Sequence, residues 1–312
     1  MNNEQKSSIG GIGRKPYYDR HNDRVKGFFD IVIRDGKEKE AYEYVGEARR
    51  LKEVSGATRI TLRMIVYKDS IGMISQLMNT EALIPLNKEW KDYLILYLGE
   101  NERERFTPPE VWKAENMLLQ QLLQNTQRQR RDEIFQRIRE NGYRIEILDK
   151  NISSREIREV FEIYREAFTR YTFPLTKENI RGLITSPQTL VAVARDFNDK
   201  IVSISVAEIA TVETDLGELT ISELSDEATL RAHRRRGLSQ ACILSLIDEL
   251  YRMGIGVIYE EARATHIGVN KAAIRLGFNY GGRLMQHCVI GGDKEVYSQG
   301  KFEDLNVFYL PG

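Results

Sequence analysis

Hydrophobic and polar positions change period several times along the chain, and the changes predict an alternating series of strands and helices. Residues 1–15 are polar and glycine-rich, which predicts a disordered start. Residues 28–33 form an apolar run of strand length, 38–54 repeat with helical period and stop near Gly56, 58–66 read as a second strand, 70–78 as a helix and 93–98 as a further strand. The alternation predicts a small α/β domain over residues 16–106, with nothing catalytic visible in it.

Residues 107–142 predict a helical connector. Thr107-Pro108-Pro109-Glu110 has the form of a capping box with proline at the first helical position. A helix or helix pair follows, with Val111, Leu118 and Leu122 on one face and Gly142 as its stop. The polar run 124–133 (QNTQRQRRDE) suits a solvated face or a corner between helices better than a basic contact surface, because acids dilute it at once. From residue 143 to 312 the pattern predicts strand 143–148, helices 153–171 and 177–185, strand 189–196, two long antiparallel strands 201–212 and 219–230, helix 238–253, strand 257–264, helix 268–276 closed by Gly277, and strands 280–290 and 305–310.

Composition narrows the classes. The chain has 312 residues, formal net charge zero, 41% hydrophobic and 29% charged residues. This is ordinary globular composition with enough length for a real core, and it argues against a general nucleic-acid binder. Cys242 and Cys288 each sit in an apolar run, which favours reduced thiols over a disulfide framework. No stretch approaches the roughly 20 apolar residues of a membrane span, and the start has no apolar signal core. The expectation is a cytoplasmic protein with no membrane and no nucleic-acid partner and no metal.

The chemistry concentrates at residues 230–239 (LRAHRRRGLS), between a strand and an amphipathic helix. Arg231, Arg234, Arg235 and Arg236 cluster there although residues 151–312 lean acidic. Gly237 and Ser239 let the backbone pass close to a ligand, and the first-turn amides with the positive end of the helix dipole make an anion site suited to a pyrophosphate. The alternative is a capped helix with a solvated basic loop.

The order strand, Arg-x-x-Gly-x-Ser, helix, strand, helix, Gly-Phe resembles the acetyl-CoA signature of the GNAT superfamily of N-acetyltransferases. Residues 164–175 (YREAFTRYTFPL), 223–230 (ELSDEATL), 262–264, 268–270, 277–284 (GFNYGGRL) and 303–309 (EDLNVFY) are similar to the β-lysine N-acetyltransferases, which make the osmolyte Nε-acetyl-β-lysine. The run from Arg24 to Arg105 resembles their N-terminal extension more loosely. The resemblance implies a C-terminal GNAT fold, a mixed and mostly antiparallel twisted sheet flanked by helices. It also implies acetyl-CoA as co-substrate and a small amine acceptor, most specifically β-lysine; a homodimer is compatible with it.

By the same resemblance, Arg234, Arg235, Arg236, Gly237, Leu238 and Ser239 hold the pyrophosphate, Ala228, Thr229 and Leu230 pair with the pantetheine arm, and His266 stands where an asparagine commonly begins the next helix. Tyr171, Phe173 and Glu303 are expected at the acceptor. The position of a tyrosine that often protonates the departing thiolate is here Ala273, so the general acid is unassigned. Gln286-His287 replaces an expected pair of asparagines. Amine acetylation needs a carboxylate to take the ammonium proton. Glu223 is the first candidate, eleven residues before Arg234, with Asp226 and Glu227 as rivals; strand alternation places Glu223 and Glu227 on one face and Asp226 on the other. Arg263, inside an apolar strand, calls for an acidic partner, and Cys242 reads as core.

Overall fold

The computed structural model describes residues 12–291 and 301–311. Of the start expected to be disordered, residues 1–11 lie outside the described residues, and Ile12 already forms a bridge to Phe28.

The first half contains β1 (Tyr17–Asp19), β2 (Arg24–Ile33), α1 (Glu38–Ser55), β3 (Arg59–Tyr67), α2 (Ile71–Leu77), β4 (Asn79–Pro85) and β5 (Tyr93–Asn101). α1 buries Ala41, Tyr44, Val45 and Ala48 and ends at Gly56 in the left-handed conformation, φ 70°. It carries the chain between the parallel strands β2 and β3. The sequence pattern does not single out β1 and β4; pairing defines them, β1 at the sheet edge on β2 and β4 inside the sheet between β5 and β11.

Helices α3 (Pro109–Asn125) and α4 (Arg131–Glu140) form the connector. Its expected capping box does not form. Thr107 Oγ1 donates instead to the Asp304 carboxylate at 2.7 Å, and α3 opens with proline and no side-chain cap. The polar run makes a corner between α3 and α4, where Arg131 pairs with Asp248 and the Gln129 amide donates to the Arg275 carbonyl.

The second half follows as β6 (Arg144–Ile147), α5 (Ser154–Ala167), α6 (Lys177–Thr185), β7 (Thr189–Arg195), β8 (Ile201–Thr214), β9 (Gly217–Thr229), α7 (Leu238–Arg252), β10 (Val257–Arg263), α8 (Ile267–Leu276), β11 (Asn279–Cys288) and β12 (Glu303–Tyr309). The order agrees with the sequence reading, except that α5 stops at Ala167, four residues short of Tyr171. A true capping box starts α5, with Ser153 Oγ accepting from the Glu156 amide and Glu156 reaching back to the Ser153 amide. The sheet is mixed and mostly antiparallel, flanked by helices, as expected for this half.

The strands of both halves form one 12-stranded sheet in the order β1-β2-β3-β5-β4-β11-β12-β10-β9-β8-β7-β6. The seam is the β4 to β11 contact, where Ala82 faces Gly282. The glycine pair Gly281-Gly282 has a steric reason: a Cβ on Gly281 would stand 2.5 Å from the Leu83 carbonyl oxygen, and one on Gly282 (φ 144°) 2.3 Å from that of Glu81. Apolar burial crosses the seam, joining Phe28, Ile65 and Tyr97 to Ile221, Tyr259 and Val307 in one cluster. Arginines fasten it: Arg24 Nη1 donates to the His287 carbonyl, Arg105 donates to the carbonyls of Gln286 and His287, and fully buried Arg59, held by Glu81 and Asn101, meets His287 Nδ1 at 3.4 Å. The connector buries Leu119, Leu122, Ile134 and Ile138 in the core shared by α7 and α8. Among the described residues no helix is long and apolar enough to cross a membrane.

Candidate active site

The arginine loop lies between the end of β9 and the start of α7. Residues Arg231–His233 form one 3-10 turn, Arg235 takes φ 65°, and Gly237 takes φ 83° as the residue before the helix. No side chain caps α7, whose first helical hydrogen bond runs from the Ala241 amide to the Gly237 carbonyl. The preceding amides thus face out at the positive end of the helix, between exposed Arg235 and Arg236. Arg234 is partly tied down, its Nε donating to the Thr229 carbonyl at 2.9 Å. The His233 ring meets the Tyr143 hydroxyl at 2.9 Å. From the connector, the Arg137 guanidinium lies 3.6 Å from where a Cβ on Gly237 would be. Outward amides at a positive helix end flanked by guanidinium groups can hold an anion.

Upstream of the loop, β9 parts from β10. Their parallel pairing runs from Ile221 with Val257 to Leu224 with Glu260 and then ends. From Ser225 to Thr229 the edge of β9 that faces β10 therefore has no strand partner, and an extended arm bearing amides could pair there. On the other edge β9 bulges against β8: Ser225 opposes Val206, Ala228 opposes Ile204, and Asp226 takes φ 56°.

The bulge reverses the expected distribution of carboxylates. Asp226 falls beside Tyr164 of α5, on the face that carries Glu223, whereas Glu227 turns to the helix α7 side and accepts from Ser239 Oγ at 2.8 Å. Simple alternation fails because one extra residue flips every side chain after it. Ser239 is thus more than a small residue in the loop.

Where the strands part, a cavity of about 850 Å³ opens. Its carboxylates come from Asp19, Glu208, Glu223, Asp226, Glu227, Glu260 and Glu261, and its cationic side chains are Arg20, Arg24, Lys26 and Arg263. Aromatic walls come from Tyr17, Phe168, Tyr171 and Phe173, with Phe168 and Tyr171 in ring contact at 4.5 Å and Tyr171 edge-on to Phe173 at 4.9 Å. The first half of the chain, expected to be chemically silent, supplies the wall from Tyr17 to Lys26. No motif announces it; only the turn between β1 and β2, held on the loop after α5 by His21 Nε2 against the Tyr171 carbonyl at 2.7 Å, brings it to the site.

Burial sets the protonation states. Glu223 is 3% exposed, receives a hydrogen bond from Tyr259 Oη at 3.0 Å and lies 3.9 Å from Arg63. Burial and the neighbouring carboxylates Glu261 and Glu208 push its pKa up to about 8 against the pull of Arg63 and Lys26. Asp226 rises to about 7 by burial, opposed by Tyr164. Lys26 falls to about 8, chiefly by burial and then by Arg24 and Arg63. His287 is held well below its usual value by burial and by Arg24 and Arg59, so it is neutral. Glu223, Asp226 and Lys26 can therefore exchange protons near neutrality.

The other expected residues divide. Tyr171 and Phe173 line the cavity. Glu303 does not: it holds Arg263 at 3.2 Å and Thr265 at 3.4 Å, and it is Arg263 that reaches the wall. The acidic partner that Arg263 called for is therefore Glu303. His266 caps α8, its Nδ1 accepting from the Val269 amide at 3.2 Å, and is not a cavity residue. Ala228 is buried, and the Leu230 amide donates to the Val202 carbonyl. Ala273 is fully buried. Cys242 is core, and Cys288 lines the cavity with its thiol pushed up to about 12 by burial. Among the described residues no group of three or more His, Cys, Asp or Glu side chains is placed to hold a metal ion.

A β-lysine N(6)-acetyltransferase from Methanosarcina mazei is 29% identical over 146 residues, 47% of this chain and 48% of the relative. The chain resembles the GNAT acetyltransferases of the β-lysine group. The N-acetyltransferase YodP of Bacillus subtilis is 28% identical over 128 residues, 41% of this chain and 44% of that protein. The aligned part spans about half the length of these curated relatives. Among solved structures, the ribosomal-protein-S18-alanine N-acetyltransferase from Escherichia coli is 19% identical, with 54% of this chain and 93% of that one covered at a TM-score of 0.42. No family model matches the chain.

Proposed function

We propose that this protein transfers the acetyl group of acetyl-CoA to a primary amine of a small diamino acid, with β-lysine as the favoured acceptor. The observation that carries the reading is the continuity of β9, which leads from an open, arginine-flanked helix start to a chamber of proton-accepting carboxylates. Acetyl-CoA supplies the activated acetyl thioester. The amides at Gly237–Ser239 with Arg235 and Arg236 bind its pyrophosphate, and the unpaired edge of β9 holds its arm.

In the chamber, Glu223 and Asp226 draw in the acceptor ammonium and take its proton, which leaves a neutral amine to attack. Their raised pKa values match this task, since a base near neutrality returns the proton readily. Tyr171 and Phe173 pack on the alkyl stem and exclude water. The cations of the first half, foremost Arg20 at the surface, face the acceptor's own carboxylate. That pairing of carboxylates with cations in one chamber favours an amino acid over a plain polyamine. The names of the aligned relatives point to the same acceptor.

The test is acetyl transfer by the purified full chain, read as thiol release, across β-lysine, lysine, spermidine and amino sugars. Preference for β-lysine supports the reading. Turnover that favours spermidine or an amino sugar removes the acceptor assignment and keeps the reaction class, and no turnover on any amine removes both.

A further inference from the structure

The chamber contains a carboxyl that neither the arginine loop nor Glu223 and Asp226 require. Glu260 of β10 is 2% exposed and lines the cavity; its oxygens make no hydrogen bond of ordinary geometry, and the group they meet is the Glu227 carboxyl of β9. Two buried carboxyls side by side cannot both ionise cheaply, so the Glu227–Glu260 pair holds a proton at the cavity wall. Glu260 opposes Leu224 at the last parallel pair before β9 and β10 part, so it stands at the mouth of the gap that would receive the thioester arm. Its charged neighbour is Glu227 on β9, itself held by Ser239 of α7; Cys242 of α7 lies near Glu227 and stays a thiol. At the position on α8 where the resemblance implies a tyrosine acid, the chain has fully buried Ala273.

We propose that Glu260 is the general acid of this site, giving its proton to the sulfur that leaves the acetyl group. This rests on the acetyl-transfer reading above. The new bond joins the acceptor nitrogen to the acetyl carbon, the carbon–sulfur bond breaks, and the electron pair left on sulfur takes the Glu260 proton. The ammonium acceptor loses two protons in all: one goes to solvent by way of Glu223 or Asp226, and the other replaces the proton of Glu260 through Glu227. Burial and the adjacent Glu227 carboxyl hold Glu260 well above the usual carboxylate range, which favours its protonated form.

The experiment compares Glu260→Gln and Glu260→Ala with the wild-type full chain in turnover, in calorimetric binding of CoA and of desulfo-CoA, and in pH profile. Glu260→Gln is expected to bind acetyl-CoA within about threefold of wild type and to turn over about 100-fold more slowly, a loss typical of a missing general acid. The alkaline fall of wild-type kcat should disappear in it. Wild type should prefer CoA to desulfo-CoA, and Glu260→Ala should lose that preference, a readout independent of turnover. Normal turnover with an unchanged pH profile in Glu260→Gln overturns the assignment and leaves the acetyl-transfer reading standing. Absence of any acetyl-CoA binding by wild type overturns both.

Discussion

The arginine loop and the carboxylate chamber share strand β9, yet they are built on opposite principles. The loop is contiguous, exposed and backbone-driven: nine residues from Arg231 to Ser239 contain the turn, the left-handed glycine and the open helix start. The chamber is discontinuous and buried. Its residues come from positions as far apart as Tyr17 and Leu305, and its acid–base character exists only because the fold removes them from water. The difference teaches where charge is useful: cations near solvent can recruit an anion cheaply, whereas a carboxylate that must work as a base near pH 7 has to be desolvated.

That contrast can be broken most severely in the chamber. Glu223→Gln is expected to lower kcat on the order of 100- to 1,000-fold while acetyl-CoA affinity by calorimetry stays within a few-fold, and Asp226→Asn should lose roughly tenfold or more. Equal loss of binding and turnover would show that the two regions are not separable. At the loop the opposite split is expected. Gly237→Asp forces φ 83° on a residue with a Cβ and puts a negative charge at the helix start, so acetyl-CoA affinity should fall about 100-fold, measured by the same calorimetry.

The contribution of the first half is finer. Arg20→Ala should raise KM for acceptors that carry a carboxylate about tenfold, the scale of one charge-assisted hydrogen bond, and leave KM for a plain diamine unchanged. An equal effect on both acceptors would assign Arg20 to general shape and not to carboxylate recognition. The smallest expected effect is on stability against pH. Glu223 and Asp226 have folded pKa values of about 8 and about 7, above those of the unfolded chain, so the folded state binds more protons between them. Their contribution to stability is full below about pH 4 and is lost as pH rises through 7 and 8. Thermal unfolding of wild type should therefore fall in Tm from pH 5 to 8, with a shallower slope in Glu223→Gln. A wild-type Tm that climbs over this range would contradict the raised values.

Much of the second half was legible in the chain, because each element there satisfies its own local rule. Apolar spacing gave the helices, Gly277 closed α8 at φ 91°, and the Arg-x-x-Gly-x-Ser run marked its own turn. The errors share one cause. Thr107 has the form of a cap but finds Asp304, 197 residues away, and Glu303 finds Arg263 instead of the cavity. Glu223 and Asp226 came to one face through a bulge that period-two counting cannot see, and nothing in the sequence singled out Glu260. The wall from Tyr17 to Lys26 carries no motif, since recognition by a lone arginine or lysine needs only position.

The sequence by itself determined the strand and helix order of the second half and the open, arginine-flanked start of α7, because backbone conformation and first-turn amides depend on neighbours a few residues away. Only the tertiary structure decided which carboxylates face the chamber, which are consumed by arginines, and that the first half forms one of its walls. Those outcomes depend on burial and on contacts between distant strands, and the joining of both halves at Gly281-Gly282 brings them about.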